Sequence, residues 1–392
     1  MKVALITDTA EGSLGVDRYA RELTSRLLKS DLITKIVIVH SDNVTRKVVP
    51  TPEESASQKM GELILPLPHT RFGKGLRQLF IAPILLNRLP REGVGIVHDL
   101  YNFAPFLLSF GAYKKVVTVH DIRPLLTRWM HPWSQRTSLY IRYRCLLPLI
   151  LKRAEVIIAV SNNTKRDLVK WLGVDPDKVK VVYHGISQDY QPVQDPERLD
   201  KLKHHYGITY PFILGQMMLG SIENIWTLVE AFRQLRTNAS YTSRMVKEAK
   251  LVFFGDTDQG IVSEVRKMGL ENEIVFLGWI PESDLSTLYS AAELFVYPSL
   301  YEGFGFPPLE AMACGTATIV SSVSSLPEVV GNGGLKFEPL DAAGLASQMY
   351  NVLTSEDTRR GLAKKGVERA RTFTWEKTAA DTLKIYLELL EK

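Results

Sequence analysis

Short apolar runs alternate with amphipathic segments along the whole chain. The runs are too short for buried helices and predict buried strands at residues 3–7, 35–39, 96–97, 116–119, 156–160, 179–182, 212–214, 251–254, 274–277, 294–297 and 317–320. Between them, apolar residues such as Tyr19, Leu23 and Leu27 recur at helical spacing, and Ser161 suits the N-cap of a helix. Strands that alternate with helices predict an α/β fold, with parallel sheets covered by helices on both faces.

One interruption of this pattern predicts a domain boundary. Residues 183–196 are rich in Gly, Pro, Gln and Asp, and the alternation restarts after them. A chain of 392 residues also exceeds the size of one ordinary core. We therefore predict two α/β domains over residues 1–188 and 189–373. The end of the chain is predicted to be helical over residues 341–353, 356–371 and 374–390.

The composition narrows the class of protein. With 45% hydrophobic and 23% charged residues, it is typical of a soluble globular protein. No apolar run approaches the roughly 18 residues of a membrane-spanning helix, and the first residues suggest a strand rather than a secretory signal. Cys145 and Cys314 are too few and too far apart for a disulfide framework or a cysteine metal site. We therefore expect a reducing, cytoplasmic environment.

The charge is unevenly distributed along the chain. Residues 1–185 contain 28 Lys and Arg against 16 Asp and Glu, whereas the rest contains 20 against 27. The basic half predicts contact with an anionic partner or surface, or else a solvated face. The basic residues 71–77 precede an amphipathic segment, which fits an interfacial membrane contact or an ordinary core helix. Aromatic and basic residues at 128–144 leave nucleic acid as a minor alternative.

The strongest candidate site is Glu302-Gly303-Phe304-Gly305-Phe306-Pro307-Pro308-Leu309-Glu310, between a predicted strand and a predicted helix. Gly303 and Gly305 carry no Cβ, so the backbone can approach a ligand closely there. The N–H groups at the start of the helix can bind an anion such as phosphate. The carboxylates of Glu302 and Glu310 can accept hydrogen bonds from hydroxyl groups. The stretch therefore suits a nucleotide sugar, or else it is an ordinary turn with solvated carboxylates.

Other candidate residues follow predicted strands, at the end where ligands of open α/β sheets bind. His120 can share a proton or a hydrogen bond near neutral pH, or merely cap its strand, and His98 is a weaker candidate of the same kind. Gly15 can approach a phosphate or lie in a plain turn. Gly278 and Trp279 can meet a planar base, or form a turn with the Trp in the core. No dinucleotide glycine spacing, hydrolase elbow or histidine metal motif occurs in the sequence.

Several longer motifs extend over nearly the whole chain. They are Thr118-Val119-His120-Asp121-Ile122-Arg123-Pro124, Ala159-Val160-Ser161, residues 296–315, Ser325-Leu326-Pro327-Glu328-Val329-Val330-Gly331 and Phe373-Thr374-Trp375-Glu376-Lys377-Thr378-Ala379. With these motifs the chain resembles glycosyltransferase family 4, whose members are retaining enzymes of the GT-B fold. The likeness is greatest to the O-antigen-type mannosyltransferases of that family.

The resemblance implies two Rossmann-like parallel-sheet domains facing a central cleft. Residues 1–188 would bind the acceptor, with residues 374–392 packing back on them as a helix, and residues 189–373 would bind the nucleotide sugar. The family needs no metal, so no cofactor is expected. The resemblance also places His120 and Glu302 at the reaction centre. The donor-binding residues that it implies are Gly15, Ser221, Asn224, Gly278, Trp279, Ile280, Gly303, Phe304, Gly305, Leu309 and Glu310.

One motif departs from the family pattern. The family usually carries an Arg and a Lys after the first strand of its second domain, where they stabilise the leaving diphosphate. Here Ile222 and Glu223 occupy those positions, followed by the expected Asn224. Cations that could substitute for the missing pair are Arg123, Arg128 and Lys165.

We therefore predict a retaining, metal-independent hexosyltransferase, with mannose from GDP-mannose as the first donor to consider. Its acceptor would be a glycan or a lipid-linked saccharide in cell-surface polysaccharide synthesis. It would work in the cytoplasm, at the inner face of the membrane if the basic domain makes peripheral contact. The alternative is a weakened or inactive GT-B subunit that binds a sugar or a partner, because Ile222 and Glu223 replace the cationic pair.

Overall fold

The computed structural model of the protein describes residues 1–7, 14–41, 58–65, 82–126, 140–218 and 224–391. The chain divides into two compact units, which are described separately. Unit 1 comprises Met1–Gly185 with Thr374–Lys392, and unit 2 comprises Ile186–Phe373. Several residues interpreted above lie outside the described ranges: residues 71–77, residues 128–139, Ser221, Ile222 and Glu223.

Unit 1 is built on a parallel sheet of seven strands in the order β3-β2-β1-β4-β5-β6-β7. Its strands are β1 (Lys2–Ile6), β2 (Lys35–Ser41), β3 (Met60–Leu65), β4 (Ile96–Asp99), β5 (Lys114–Val119), β6 (Val156–Ala159) and β7 (Val179–Val181). Residues 3–6 of the central strand β1 are buried, as expected where helices cover both faces of a parallel sheet. The edge strand β3 was not predicted, because it mixes exposed and half-buried residues and has one buried residue, Leu65.

Unit 2 is built on a second parallel sheet, with six strands in the order β10-β9-β8-β11-β12-β13. Its strands are β8 (Phe212–Met217), β9 (Lys250–Gly255), β10 (Ile274–Phe276), β11 (Leu294–Tyr297), β12 (Thr318–Ser321) and β13 (Leu335–Phe337). The short edge strand β13 was also missed by the prediction. The predicted class of two parallel α/β sheets is confirmed.

Helices connect the strands in both units. Numbered along the chain, they are α1 (Leu14–Lys29), α2 (Ala82–Leu86), α3 (Arg123–Leu126), α4 (Leu147–Arg153), α5 (Asn162–Leu172), α6 (Pro196–His205), α7 (Ile225–Thr237), α8 (Arg244–Glu248), α9 (Gln259–Lys267), α10 (Glu282–Ala291), α11 (Phe306–Ala313), α12 (Leu326–Val330), α13 (Ala342–Thr354), α14 (Glu356–Ala370) and α15 (Trp375–Leu390). A π-helical segment, Arg142–Leu146, precedes α4, and single 3₁₀ turns lie at Leu89–Glu92 and Pro176–Lys178. Within the described ranges, no helix combines the length and the apolar character needed to cross a membrane.

Local sequence signals explain individual helices. Tyr19, Leu23 and Leu27 are buried and form the inner face of α1, as their spacing predicts. The hydroxyl of Ser161 accepts a hydrogen bond of 3.0 Å from the N–H of Thr164 and so caps the start of α5. The same helix ends at Gly173, whose φ of 63° lies in the left-handed region that glycine adopts without steric cost.

The C-terminal helix α15 belongs to unit 1. Its N-cap, Thr374, accepts a hydrogen bond from the N–H of Lys377, and the side chains of Trp375 and Tyr386 are fully buried. The hydroxyl of Tyr386 shares a hydrogen bond of 2.6 Å with Nδ1 of His98, the third residue of β4. The last helix is therefore held by both apolar burial and a buried polar contact to the sheet.

Replacement of Tyr386 by Phe tests this docking. The substitution keeps the buried ring but leaves Nδ1 of His98 without its hydroxyl partner, so we expect the free energy of unfolding to fall by about 1–3 kcal/mol. Chemical denaturation followed by circular dichroism measures the change. Leu387→Ala, at a position on the same helix that is 38% exposed, serves as a control and should change stability by less than about 1 kcal/mol. Unchanged stability of the Tyr386→Phe variant would contradict the buried contact.

Candidate functional site

The centre of the unit 2 sheet is a topological switch point. Strands β8 and β11 are neighbours there, and the chain proceeds outwards from them in opposite directions. Ligands of open α/β sheets bind at the carboxyl ends of such strands. The stretch from Glu302 to Gly305 lies at this place, because it follows β11 and leads into α11.

The start of α11 is made by Gly305. Its φ of 109° lies in the region that favours glycine, and a Cβ atom there would lie 2.8 Å from Cδ2 of Leu326. Pro307 and Pro308 occupy the next turn and carry no N–H. The expected anion-binding capacity of this helix start therefore depends on the N–H groups of Gly305, Phe306 and the preceding loop.

The carboxylate of Glu302 is fixed by two hydroxyl groups. Its Oε1 atom accepts hydrogen bonds of 2.8 Å from the hydroxyl of Tyr297 and 2.8 Å from the hydroxyl of Ser299. Tyr297 ends β11, and Ser299, two residues later, is fully buried. The half-buried Glu302 side chain is therefore oriented by the strand that precedes the loop.

The second carboxylate, Glu310, lies on α11 and is 5% exposed. Its Oε2 atom accepts a hydrogen bond of 3.0 Å from the hydroxyl of Tyr289 on α10. Burial and the negative charge of Glu310 raise the pKa of Tyr289 well above its ordinary value, so the hydroxyl stays protonated and remains a donor. The neighbouring Leu309 is fully buried, and its side chain belongs to the core.

The loop between the carboxylates is anchored by an aromatic side chain. The ring of Phe304 is buried and lies 5.4 Å from the ring of Phe306 and 5.8 Å from the ring of Phe373. Phe304 therefore directs its side chain into unit 2. The predicted contribution of Gly303, Phe304 and Gly305 to ligand binding is accordingly one of backbone atoms.

The residues predicted to meet a base follow β10. Gly278 has a φ of 71°, and its carbonyl accepts a hydrogen bond of 2.8 Å from the N–H of Gly255 at the end of β9. Ile280 is buried, whereas the side chain of Trp279 is 71% exposed. Strand β10 lies three strand spacings from β11, which is about 14 Å. Trp279 thus offers an exposed aromatic face on the same edge of the sheet as the carboxylates.

Asn224 connects the loops on the two sides of the switch point. Its φ of 52° is left-handed, which asparagine tolerates better than most residues. Its side-chain amide donates hydrogen bonds to the carbonyls of Pro298 at 3.1 Å and Pro339 at 2.5 Å, and its Oδ1 atom accepts one from the hydroxyl of Thr227. These contacts fix the loop after β11. Direct binding of the donor by Asn224 stays a prediction.

In unit 1, His120 follows β5 and is almost fully buried. Its Nε2 atom lies 2.9 Å from the carbonyl oxygen of Leu100, which can only accept, so Nε2 carries the hydrogen and Nδ1 is the acceptor. The backbone N–H of His120 donates to Oδ1 of Asn102. Burial lowers the pKa of His120, which favours the neutral ring.

A buried polar network surrounds His120. Nε2 of His98 and the hydroxyl of Thr118 are 2.8 Å apart, and the hydroxyl of Thr118 lies 3.0 Å from that of Tyr19. The ring of Tyr19 lies 5.1 Å from the ring of His120 and 4.7 Å from that of His184. Tyr19 is one turn after Gly15 on α1, so unit 1 brings the helix of Gly15 next to His120.

Sequence reasoning missed several residues of these networks. The signal for Thr118 was available, because it precedes His120 by two positions and so shares its face of the strand. Tyr19 appeared only as an apolar residue of a predicted helix, and its spacing does not show where its hydroxyl points. Tyr289 was not singled out at all, because no sequence motif contains it. Of the cations proposed as substitutes, Lys165 donates to the carbonyl of Val179 at 2.8 Å, and Arg128 lies outside the described residues.

No metal site is evident in the part of the chain that the structure describes. Within it, no three His, Cys, Asp or Glu side chains converge closely enough to hold a metal ion. Cys145 and Cys314 are both free thiols, and burial raises the pKa of Cys314 to about 12. Cys314 is therefore a protonated core residue near neutral pH.

Two family models match most of the chain. Residues 14–190 match the model described as Glycosyltransferase Family 4, and residues 212–369 match the model described as Glycosyl transferases group 1. The O-antigen chain mannosyltransferase B of Escherichia coli is 28% identical over 396 residues, which cover 98% of this chain and 99% of that protein.

Solved structures show the same fold. The sucrose-phosphate synthase of Thermosynechococcus elongatus superposes with a TM-score of 0.77 at 21% identity, covering 100% of this chain and 99% of that chain. Anabaena HepE in complex with UDP-glucose superposes with a TM-score of 0.73 at 18% identity, covering 99% of this chain and 100% of that chain.

The pH dependence of stability tests the buried network. Burial lowers the pKa of His98 from 6.5 to about 3, so the unfolded state binds the proton more readily than the folded state at intermediate pH. This group therefore contributes stability above pH 6.5 that is lost as the pH falls, by about 1 kcal/mol between pH 6 and 5. Chemical denaturation at pH 6 and pH 5 measures this. Between these pH values, the free energy of unfolding of His98→Gln should fall by about 1 kcal/mol less than that of the wild type.

Thr118→Val is the matched control for this measurement. The substitution breaks the contact of Thr118 with Nε2 of His98 but keeps the buried imidazole. It should lower stability at both pH values while preserving the difference between them. An identical pH dependence in the wild type and the His98→Gln variant would show that His98 does not titrate as a buried neutral group.

Proposed function

Because this chain belongs to the family 4 glycosyltransferases of the GT-B fold, we propose that it transfers a hexose from a nucleotide diphosphate sugar to a hydroxyl group with retention of configuration. The observation that carries the proposal is the pair of hydrogen-bonded carboxylates, Glu302 and Glu310, on one strand–turn–helix segment at the switch point of unit 2. Carboxylates held in this way can accept hydrogen bonds from the many hydroxyl groups of such a donor.

Each carboxylate has a separate proposed role. Glu310, on α11, would accept hydrogen bonds from the ribose hydroxyls, and Tyr289 keeps it oriented. Glu302 would bind the transferred sugar, and the N–H groups of Phe304 and Gly305 would face its phosphate. Trp279, exposed at the end of β10, would stack on the base.

The reaction would proceed on one face of the sugar. The bond between the anomeric carbon and the diphosphate oxygen breaks, and the acceptor oxygen bonds to the anomeric carbon from the same face. The proton of the acceptor hydroxyl passes to the departing diphosphate oxygen, so the charge balances without an added base. His120, neutral with Nδ1 as an acceptor, would accept a hydrogen bond from a hydroxyl of the transferred sugar.

Mannose from GDP-mannose is the first donor to test. The support for this choice is the name of the relative that covers nearly the whole chain, a mannosyltransferase of O-antigen synthesis. A polysaccharide or glycolipid acceptor follows from the same likeness. Metal independence is part of the proposal, with leaving-group charge stabilised by backbone N–H groups and by one of the substitute cations, Arg123 or Arg128.

Incubation with a panel of nucleotide sugars and acceptors, followed by measurement of nucleoside diphosphate release, tests the proposal. With the donor that the wild type uses, Glu302→Gln should lower kcat/KM about 100-fold, because it removes a charge at the reaction centre. Glu310→Gln should raise the donor KM about tenfold, the effect of weakening a hydrogen bond to a charged group. Glu338→Gln, at an exposed carboxylate of unit 2, should behave like the wild type.

The same experiment distinguishes a second candidate function. Glu223 stands where the family carries a cation, which favours a GT-B subunit that binds a nucleotide sugar without transferring it. Donor binding in calorimetry, together with no diphosphate release on any acceptor, would replace the enzyme by this alternative. Turnover restored by Glu223→Lys would identify a weakened enzyme rather than a scaffold.

We also propose that the acceptor is a lipid-linked saccharide at an anionic membrane surface, reached from the cytoplasm. Residues 1–185 carry the excess of basic residues, and unit 1 exposes Ile84, Leu108 and Phe110. The N–H of Phe110 donates to Oδ1 of Asn87, which follows α2 directly, so this exposed ring lies beside the helix that carries Ile84. Apolar side chains among basic ones suit an interfacial contact.

Vesicle co-sedimentation tests the membrane contact. The protein should bind vesicles that contain anionic lipid at low salt and dissociate as salt screens the charges. Phe110→Ser should weaken binding about tenfold, because a buried aromatic ring contributes more than 1.4 kcal/mol. Trp171→Ser, at an exposed aromatic residue of α5, is the control and should bind normally. No binding to anionic vesicles at low salt would refute the contact.

A further inference from the structure

Ser324 has an uncommon backbone conformation. Its φ of 60° lies in the left-handed region, which residues other than Gly, Asn and Asp rarely adopt. The residue is half-buried and lies between β12 and α12. Glycine is the usual residue in such a turn, so a serine there suggests that its hydroxyl makes contacts that offset the backbone strain.

The hydroxyl of Ser324 binds both polar groups of the Glu302 backbone. Its Oγ atom accepts a hydrogen bond of 3.0 Å from the N–H of Glu302 and donates one of 2.6 Å to the carbonyl oxygen of Glu302. The hydroxyl of the next residue, Ser325, lies 2.7 Å from the carbonyl oxygen of Phe304 and 3.0 Å from that of Glu302, and it shares its one hydrogen between them. The loop after β12 thus holds the loop after β11.

These contacts complete the orientation of Glu302. Tyr297 and Ser299 hold its carboxylate from the side of β11, while Ser324 holds its backbone from the side of β12. A side chain fixed at both ends can rotate little. The left-handed backbone of Ser324 is what brings one hydroxyl within reach of both the N–H and the carbonyl.

We propose that Ser324 is a positioning residue for Glu302, acting through the Glu302 backbone rather than by touching the donor. The effect on turnover rests on the proposed function, since it requires Glu302 to contact the transferred sugar. The effect on the Glu302 backbone does not. Because Ser325 also binds the Glu302 carbonyl, the N–H of Glu302 is the group that depends most on Ser324.

Two substitutions at this position separate the hydroxyl from the backbone conformation. Ser324→Gly loses the hydroxyl but relieves the strain of the left-handed turn, and these two effects on stability oppose each other. Its melting temperature should therefore stay close to that of the wild type, while its kcat should be about tenfold lower. Ser324→Thr keeps a hydroxyl but is β-branched, which the left-handed region disfavours. It should therefore melt lower and keep more activity than the Gly variant. The donor KM of the Gly variant should stay within about twofold of the wild type.

Hydrogen exchange provides a readout that does not depend on activity. In a peptide that contains Glu302, exchange measured by mass spectrometry should be faster in Ser324→Gly than in the wild type. Ser322→Ala is the matched control, because Ser322 lies in the same loop as Ser324 but its hydroxyl donates to Glu338, which follows β13. This control should leave both exchange and kcat unchanged.

Hydrogen exchange and kcat test separate parts of the proposal. Unchanged exchange at Glu302 in the Gly variant, or a full kcat with an active wild type, would overturn the role of Ser324. Faster exchange in the Gly variant together with a wild type that transfers no sugar would refute the proposed function and support the hold on the Glu302 backbone.

Discussion

A carboxylate removed from water must find hydrogen-bond donors, and the candidate site of unit 2 is arranged around this requirement. Tyr297 and Ser299 supply hydroxyls to Glu302, and Tyr289 supplies one to Glu310. Each such bond to a charged group contributes about 1.5–3 kcal/mol, enough to decide which way a half-buried side chain points. The donors come from β11, from Ser299 just after it and from α10, so the fold itself positions the two acidic groups.

In unit 1, the buried histidines also need hydrogen-bond partners, and neutral groups supply them. His98 is fully buried between hydroxyls of Thr118 and Tyr386, and burial keeps its ring uncharged near neutral pH. His120 donates to a backbone carbonyl and lies against Tyr19. Unit 2 thus holds a pair of hydrogen-bonded carboxylates, whereas unit 1 buries uncharged imidazoles.

The sequence predicted the central strands and the position of Glu302, because buried parallel strands are apolar runs and the loop follows one of them. It missed the edge strands β3 and β13, since few of their residues are buried and periodicity is weak there. Tyr289 was not found because its hydroxyl reaches Glu310 through the packing of two helices. Ser324 was not found because its left-handed conformation is a property of the backbone, which no residue pattern predicts for a serine.

If Glu302 and Glu310 are oriented to bind the sugar and the ribose of one donor, a crystal structure with a non-hydrolysable nucleotide diphosphate hexose will show it. We expect ribose hydroxyls about 2.6–3.0 Å from the Glu310 carboxylate and a sugar hydroxyl at a similar distance from Glu302. A donor bound at another edge of the sheet, or carboxylates turned away from the bound donor, would refute these roles of Glu302 and Glu310.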